Sequence, residues 1–325
     1  MSTDSAQPLP LATRAPAKIN LGLFVGALRE DGRHQLASVM QSISLSDELT
    51  LELAAGGGDV VVCPGVSGPP QQNLAAAALQ AFREATGWEA PPLQLRIDKR
   101  VPVAAGLGGG SGDAAAALRL AAAASGCGDE ALLGELARGL GADVSAQVRP
   151  GRWLAGGAGE LLQALPAARE SFGILVLPAA RGLSTAAVYA QADRMRSARG
   201  WVELEALHRA LAEALGDGTA LPAAKLLEND LQEAARVLCP EIDGALAQAL
   251  GAGAEVALVS GSGPTVLGLF AGAAGPDRAR AAARALAAER RAAGAPAALA
   301  AEPIRAPLPV AAHAGDLPIR HNWRA

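Results

Sequence analysis

"VPVAAGLGGGSGDAAAALRL" (101–120) is the stretch on which the reading of the whole chain turns. A proline sits near its start, four glycines crowd into positions 106–110, and an alanine-rich run follows. Backbone N–H groups at the start of a helix have no intrahelical partner and carry partial positive charge. Glycines let such a backbone curl around an anion with no side chain in the way. The curl is assigned to Gly106, Gly108, Gly109 and Gly110, with the helix running from Asp113. Ser111 offers a hydroxyl to a phosphate or to a metal ion on it, and Asp113 is placed in the first turn, where its charge complements the dipole. A tight turn feeding an alanine helix is the plain alternative. So dense a glycine run entering a helix favours phosphate binding.

Two common phosphate loops are excluded. The Walker loop needs G-x-x-x-x-G-K-[ST], and no Gly-Lys pair occurs in the chain. The dinucleotide fingerprint needs G-x-G-x-x-G, and Ser111 stands where its third glycine belongs. A second cluster, "SGSGPT" (260–265), lies between two apolar runs. Alone it reads as a hairpin turn; beside the first it suggests a polyanion held from two sides.

At 325 residues the chain suits two ordinary domains. Half the residues are hydrophobic but only 3% are aromatic, so Ala, Leu and Val must fill the core. The net charge of −4 argues against a nucleic-acid partner. No run is long and apolar enough for a signal peptide or a membrane span. Cys63, Cys127 and Cys239 are odd in number and never in a C-x-x-C pair, which fits a reducing cytoplasm and argues against a disulfide framework and a zinc site. The four histidines show no metal-ligand spacing, so no protein-only metal site is expected. Lys18, Lys99 and Lys225 are the only lysines, so each bears separate examination.

Periodicity outlines the elements. A leader occupies 1–11. "AKINLGLFVGAL" is a strand with Ile19, Leu21 and Leu23 on one face and Lys18 and Asn20 on the other. A turn pivots on Asp31-Gly32, and "SVMQSISLSDELTLEL" supplies one or two strands. A helix over "NLAAAALQAFREATG" stops at Gly87, and the strand "LQLRIDKRVPV" leads into the glycine loop. "DEALLGELARGLGADVSAQV" is a helix interrupted near Gly139 and Gly141. After residue 168 come the strand "FGILVLP", a helical stretch over 185–215, two short helices parted by Cys239-Pro240, a hairpin around "SGSGPT", a basic amphipathic helix and a last strand in "AEPIRAPLPVA". Hairpin-paired strands mixed with helices indicate an α+β fold, not a doubly wound sheet.

These pieces resemble the GHMP kinases, named for galactokinase, homoserine kinase, mevalonate kinase and phosphomevalonate kinase. "APAKINLGL" (15–23), "DGRH" (31–34), "GLGGGSGDAA" (106–115), "GADV" (141–144), "GLSTAAVY" (182–189), "ENDL" (228–231) and "VSGSGPTV" (259–266) carry the resemblance in order over nearly the whole chain from residue 12. They are most similar to the branch whose acceptor is a cytidyl-diphosphate methylerythritol. The resemblance implies a domain like the second domain of ribosomal protein S5 over 12–168, a ferredoxin-like domain over 169–311, and a tail over 312–325 with no counterpart. It implies transfer of the γ-phosphoryl group of ATP to the 2-hydroxyl of the methylerythritol, with Mg²⁺ expected and ATP and substrate meeting between the domains. An acceptor of the homoserine or mevalonate type, or a nucleotide-binding relative without catalysis, are the alternatives. "DGRH" and "STAAVY" count against the first, and Lys18 with Asp143 against the second. Oligomeric state is left open.

The resemblance also implies roles. Lys18 and Asp143 match its catalytic positions, although a G-A-D can equally cap a helix. Pro102, Val103, Ala104, Ala105, Gly106, Leu107, Gly108, Gly109, Gly110, Ser111 and Gly112 would form the ATP loop, with Asn73 and Lys99 lining the nucleotide site. For Lys99, a solvated strand end is the competing reading. Asn20, His34, Thr185 and Tyr189 would contact the acceptor, His34 reading the cytosine edge and Tyr189 packing on the base, with core filling as the alternative for Tyr189. Asp230 is a further candidate or a simple helix cap. Two positions depart from the family pattern. Arg33 stands where a tyrosine is usual, and a guanidinium also stacks on a π-face. Gly112 replaces a serine.

Overall fold

A computed structural model describes residues 6–66, 73–195 and 198–317. The first sheet is built on two long strands, β1 (Leu11–Leu28) and β2 (His34–Leu53), which form one antiparallel hairpin. "SVMQSISLSDELTLEL" is thus part of a single strand. Its other edge is shared: β4 (Leu93–Asp98) pairs with one half and β5 (Arg152–Gly156) with the other. β3 (Val60–Val62) adds to β4 in parallel, and β6 (Leu161–Leu165) to β5. β3, β5 and β6 are too short to stand out by periodicity.

β1 is buried from Leu11 to Gly26 because elements cover both its faces. Its alternation slips at a register shift between Asn20 and Gly22. Ile19, Leu21 and Phe24 join the core between the two sheets, while Leu23 and Val25 join the core of the second domain. Leu23 therefore does not share a face with Ile19 and Leu21, as simple alternation predicts. A bulge inserts one residue and flips the side chains beyond it.

α1 (Leu74–Thr86), α2 (Gly109–Ser125), α3 (Glu130–Leu140) and α4 (Ala142–Val148) belong to the first domain. Asn73 caps α1, its Oδ1 accepting from the amide of Ala75 at 3.0 Å. Ala114 to Ala117 of α2 are fully buried, which lets that helix lie close against its neighbours.

The second sheet has the order β10–β7–β9–β8, all antiparallel: β7 (Gly173–Leu177), β8 (Val256–Val259), β9 (Val266–Phe270) and β10 (Leu299–Ala301). With α8 (Glu241–Gly251) and α9 (Gly275–Ala292) packed on it, this is the ferredoxin-like arrangement. The expected helical stretch over 185–215 is two helices, α5 (Thr185–Met195) and α6 (Trp201–Leu215), and α7 (Gln232–Leu238) precedes α8. Leu204, Leu211 and Leu215 of α6 pack with Ile19 and Phe24 of the first sheet and Ile174 and Leu267 of the second, so one apolar core joins the domains.

The expected bounds need three corrections. Leu11, assigned to the leader, already opens β1, and the amide of Gln7 donates to the carbonyl of Ala123; residues 1–5 lie outside the described residues. The last strand is Leu299–Ala301, ahead of most of "AEPIRAPLPVA". The segment after it leaves the second domain and returns to the first. Ala12 and Ala311 exchange backbone hydrogen bonds, and the hydroxyl of Thr13 donates to the carbonyl of Pro309. Leu317, in the expected tail, is buried; residues 318–325 lie outside the described residues.

Candidate active site

The glycine stretch lines one wall of a cleft of about 580 Å³ between the domains. α2 starts at Gly109, four residues earlier than expected, and Gly108 is its left-handed N-cap (φ 64°). Gly109 and Gly110 thus belong to the first helical turn, as does Ser111. The first intrahelical bond runs from the amide of Gly112 to the carbonyl of Gly108, so the three amides before it are free of the helix ladder.

Three glycines here are required by close approach. A Cβ on Gly106 (φ 75°) would sit 2.5 Å from the carbonyl of Ser260, so the two glycine clusters are in backbone contact. A Cβ on Gly108 would meet Cγ of Lys18 at 2.8 Å. A Cβ on Gly112 would meet the carbonyl of Pro16 at 2.7 Å, which explains glycine in place of serine: a side chain there would push α2 off β1.

"SGSGPT" forms the turn of the β8–β9 hairpin, as its flanking apolar runs predict, and lies against the first loop. Ser260 Oγ donates to the carbonyl of Gly106 at 3.2 Å. Asn229 clamps the turn, its Nδ2 donating at 2.7 Å to the carbonyls of both Val259 and Gly261.

On β1, Lys18 Nζ donates to Asn20 Oδ1 at 2.9 Å and lies 3.4 Å from Asp143 Oδ2. Asn20 Nδ2 donates to Ser38 Oγ (2.7 Å), which donates to the carbonyl of Gly22 (2.6 Å). This chain fixes which end of the amide faces the ammonium group. Asp143 does not cap its helix: Gly141 is the N-cap, and Asp143 lies in the first turn of α4 with 37% of its side chain exposed in the cleft. Gln147, fully buried on the same helix, donates to the carbonyl of Gly108 at 2.9 Å and so ties α4 to the glycine loop.

Lys99 also lines the cleft, but its ammonium group is committed. It donates to Asp47 Oδ2 at 2.5 Å and to Asp113 Oδ2 at 2.8 Å. Burial opposes its charge, yet the two carboxylates hold its pKa above the ordinary lysine value. Asp47 also accepts from the amides of Arg100 and Val101 and so pins the start of the loop. Asp113 lies in the second turn of α2, not the first, and turns to Lys99 instead of complementing the dipole. Its burial, opposed by Lys99, pushes its pKa up to about 7.

Pro102, Val103, Ala104, Ala105, Leu107, Asn73, Thr185 and Tyr189 all line the same cleft. Thr185 Oγ1 is 3.0 Å from Ser262 Oγ, which links α5 to the second glycine turn. Tyr189 is buried enough to push its pKa up to about 12, with the charge of Asp143 adding to the effect. Besides Gly112, which faces β1 and does not line the cleft, three candidates sit elsewhere. His34 does not line the cleft; its ring stacks behind Tyr189 (centroids 5.2 Å apart), with Nδ1 3.0 Å from the carbonyl of Gly26 and Nε2 3.2 Å from Asp193. Arg33 is an exposed partner of Asp31. Asp230 accepts from the amide of Val25 and from Arg199, so its role is to hold residues 229–231 against β1.

Family models for the GHMP kinase N-terminal domain and C-terminal domain match residues 73–152 and 204–292. A 4-diphosphocytidyl-2-C-methyl-D-erythritol kinase of Streptomyces coelicolor is 43% identical over 263 residues, 79% of this chain and 86% of that protein. The chain is a GHMP kinase. A second relative of this GHMP kinase, from an Anaeromyxobacter species and with the same name, is 39% identical over 295 residues, 87% of this chain and 86% of its own length. A crystal structure of 4-(cytidine 5'-diphospho)-2C-methyl-D-erythritol kinase superposes with a TM-score of 0.70 at 33% identity, covering 90% of this chain and 98% of that one. A homoserine kinase from Cytophaga hutchinsonii reaches the same TM-score at 16% identity and shows the shared fold alone.

Proposed function

We propose that this GHMP kinase transfers the γ-phosphoryl group of ATP to the 2-hydroxyl of 4-diphosphocytidyl-2-C-methyl-D-erythritol. The observation that carries the chemistry is the Lys18–Asp143 pair, 3.4 Å apart in a cleft walled by a glycine-capped helix start. The choice of acceptor rests on the named relatives that match most of the chain.

The free amides at the start of α2 bind phosphate oxygens, and their partial charge favours the anion. Phosphoryl transfer needs positioning and charge stabilisation above all. Asp143 accepts the proton of the substrate hydroxyl as its oxygen attacks the γ-phosphorus and the bond to the β-bridging oxygen of ATP breaks, releasing ADP. Lys18 steadies the negative charge developing on the attacking oxygen. Asn20, oriented through Ser38, holds the ammonium group in place.

Magnesium fits this wall as a companion of the nucleotide. Among the described residues no group of three His, Cys, Asp or Glu side chains could hold a metal alone. Mg²⁺ ordinarily binds through substrate phosphates and one or two protein oxygens. Of the oxygens that line the cleft, the Ser111 hydroxyl and the Asp143 carboxylate would hold it. When bound, the ion would neutralise charge on the nucleotide's phosphates.

Tyr189 offers the cytosine a ring face, and His34 buttresses that ring from behind. Among the described residues no helix is long and apolar enough to cross a membrane, and we place the enzyme in the cytoplasm with its three cysteines reduced. The test is ATP consumption by purified protein with Mg²⁺ and the cytidyl compound, with homoserine and mevalonate in parallel. Turnover with the cytidyl compound alone is expected. Turnover with another acceptor, or ATP binding without turnover on any of the three, would overturn the assignment.

A further inference from the structure

On the first domain, away from the cleft, lies a second cavity of about 440 Å³. Arg119 of α2, Leu133 of α3, Val148 of α4, Arg152 and Trp153 of β5 and Leu308 of the returning segment are among the residues that line it. None of its lining residues belongs to the kinase cleft.

Its charge is one-sided. Four arginines and one glutamate line it, and the glutamate, Glu130, already pairs with the exposed Arg149 at 3.3 Å. Arg305 donates to the carbonyl of Arg169. Arg119 donates only to main-chain oxygens, those of Gln147 (2.8 Å) and Arg14 (2.6 Å), and its Nε is buried without a hydrogen-bond partner. Arg152, 2% exposed, donates to Gln41 Oε1 and to the carbonyls of Thr219 and Ala220. Neither guanidinium meets a carboxylate among the described residues. Burial lowers the pKa of each to about 10. Arg152 is buried and Arg119 half-buried, and two such cations held by neutral oxygens alone, with no acid to balance them, are costly to leave so.

We propose that this cavity is a second ligand site, which takes a small amphiphilic anion: a phosphate or carboxylate head for Arg119 and Arg152, on an apolar tail of a few carbons against Leu133, Val148, Trp153 and Leu308. The volume suits a molecule of that size. Each Nη of Arg119 and Arg152 makes one of the bonds above and keeps a second N–H, the donor that a phosphate or carboxylate takes. The site is independent of the identity of the kinase's acceptor.

The test is calorimetric titration of the full chain with hexyl phosphate, alongside inorganic phosphate and hexanol. A saturating non-hydrolysable ATP analogue with Mg²⁺ occupies the kinase cleft throughout. One hexyl phosphate per chain is expected, bound at least about tenfold tighter than either control, because head and tail both contribute. From butyl to hexyl phosphate the affinity should rise by roughly fourfold per methylene. Ala164→Trp, on the exposed side of β6, should fill the cavity and abolish binding while removing no hydrogen bond and leaving kinase turnover within about twofold. Arg152→Met should weaken binding by about tenfold or more. Binding that survives Ala164→Trp, equal binding of hexanol, displacement by the ATP analogue, or no binding to the folded protein would each overturn the proposal.

Discussion

Lys18 and Lys99 reach the same cleft from the first sheet, and both have carboxylate partners, yet they are held differently. Lys18 has one aspartate at 3.4 Å, itself 37% exposed, and an amide oxygen at 2.9 Å. Lys99 sits between two carboxylates that are 0% and 4% exposed and meets both at hydrogen-bond distance. A charge that must respond to a reacting group needs a partner that can also face the substrate. A charge that anchors a loop needs partners that face nothing else. The first pair is open to the cleft; the second joins β2, the end of β4 and α2.

The comparison is sharpest at Asp143. Asp143→Asn should lower kcat by roughly 10³-fold or more, because the proton acceptor is lost. Its unfolding free energy should stay within about 0.5 kcal/mol of the parent, since a partly exposed pair contributes little. Full turnover in that variant, or loss of ATP binding with it, would break the contrast. Lys99→Met should do the reverse. It leaves two buried carboxylates uncompensated and should cost about 3–5 kcal/mol in urea unfolding. A Lys99→Met protein as stable as the parent would show that the anchor reading is wrong. Gly108→Ala tests the contact between loop and lysine. A left-handed alanine costs about 1–2 kcal/mol, and its Cβ crowds Lys18 at 2.8 Å. A roughly tenfold loss of kcat is expected with that destabilisation. A loss of stability alone would separate the loop from Lys18.

The anchor also carries a slope against pH. Asp113 has a folded pKa raised to about 7 by burial, above its unfolded value near 4. The folded state therefore binds more protons between those values, and this group's contribution to stability falls as pH rises from about 4 to about 7. Above that it is level. The difference in unfolding midpoint between the parent and Asp113→Asn, measured at pH 5 and pH 8, should shift against the parent at the higher pH. No shift would mean that Lys99 keeps Asp113 ionised throughout.

The parts of this site legible in the sequence are those that demand a residue type for a local reason. A left-handed cap or a backbone approach under 3 Å excludes a side chain, so Gly106 and Gly108 announce themselves. Lys18 and Asn20 could be placed on one face by counting in twos, because no bulge intervenes between them. Leu23 could not, since the register shift before Gly22 is invisible to a count. The start of α2 was concealed because glycine is a poor helix former, and here it forms the first turn for the sake of free amides. The partners that hold the site were out of reach for another reason. Asp47 meets Lys99 across 52 residues, Asn229 clamps Val259 across 30, and Gln147 meets Gly108 across 39. Ser38 and Gln147 lie outside the quoted motifs, Asn229 sits inside "ENDL" where Asp230 draws the notice, and only topology brings the three to the site. The place of His34 was equally out of reach of the sequence, since its ring is covered on one face by Tyr189, 155 positions on.

The return of the segment after Ala301 to β1 and β2 has a consequence for how the molecule is made. Ser44 and Ser42 take main-chain partners from Glu302 and Ile304, and Ala12 from Ala311. On the ribosome the first sheet therefore emerges with that flank uncovered and keeps it so while residues 173–301 are synthesised. The domain that begins translation is the one that finishes last. Its neighbour can assemble in the interval, and the late segment then closes over both as a clasp.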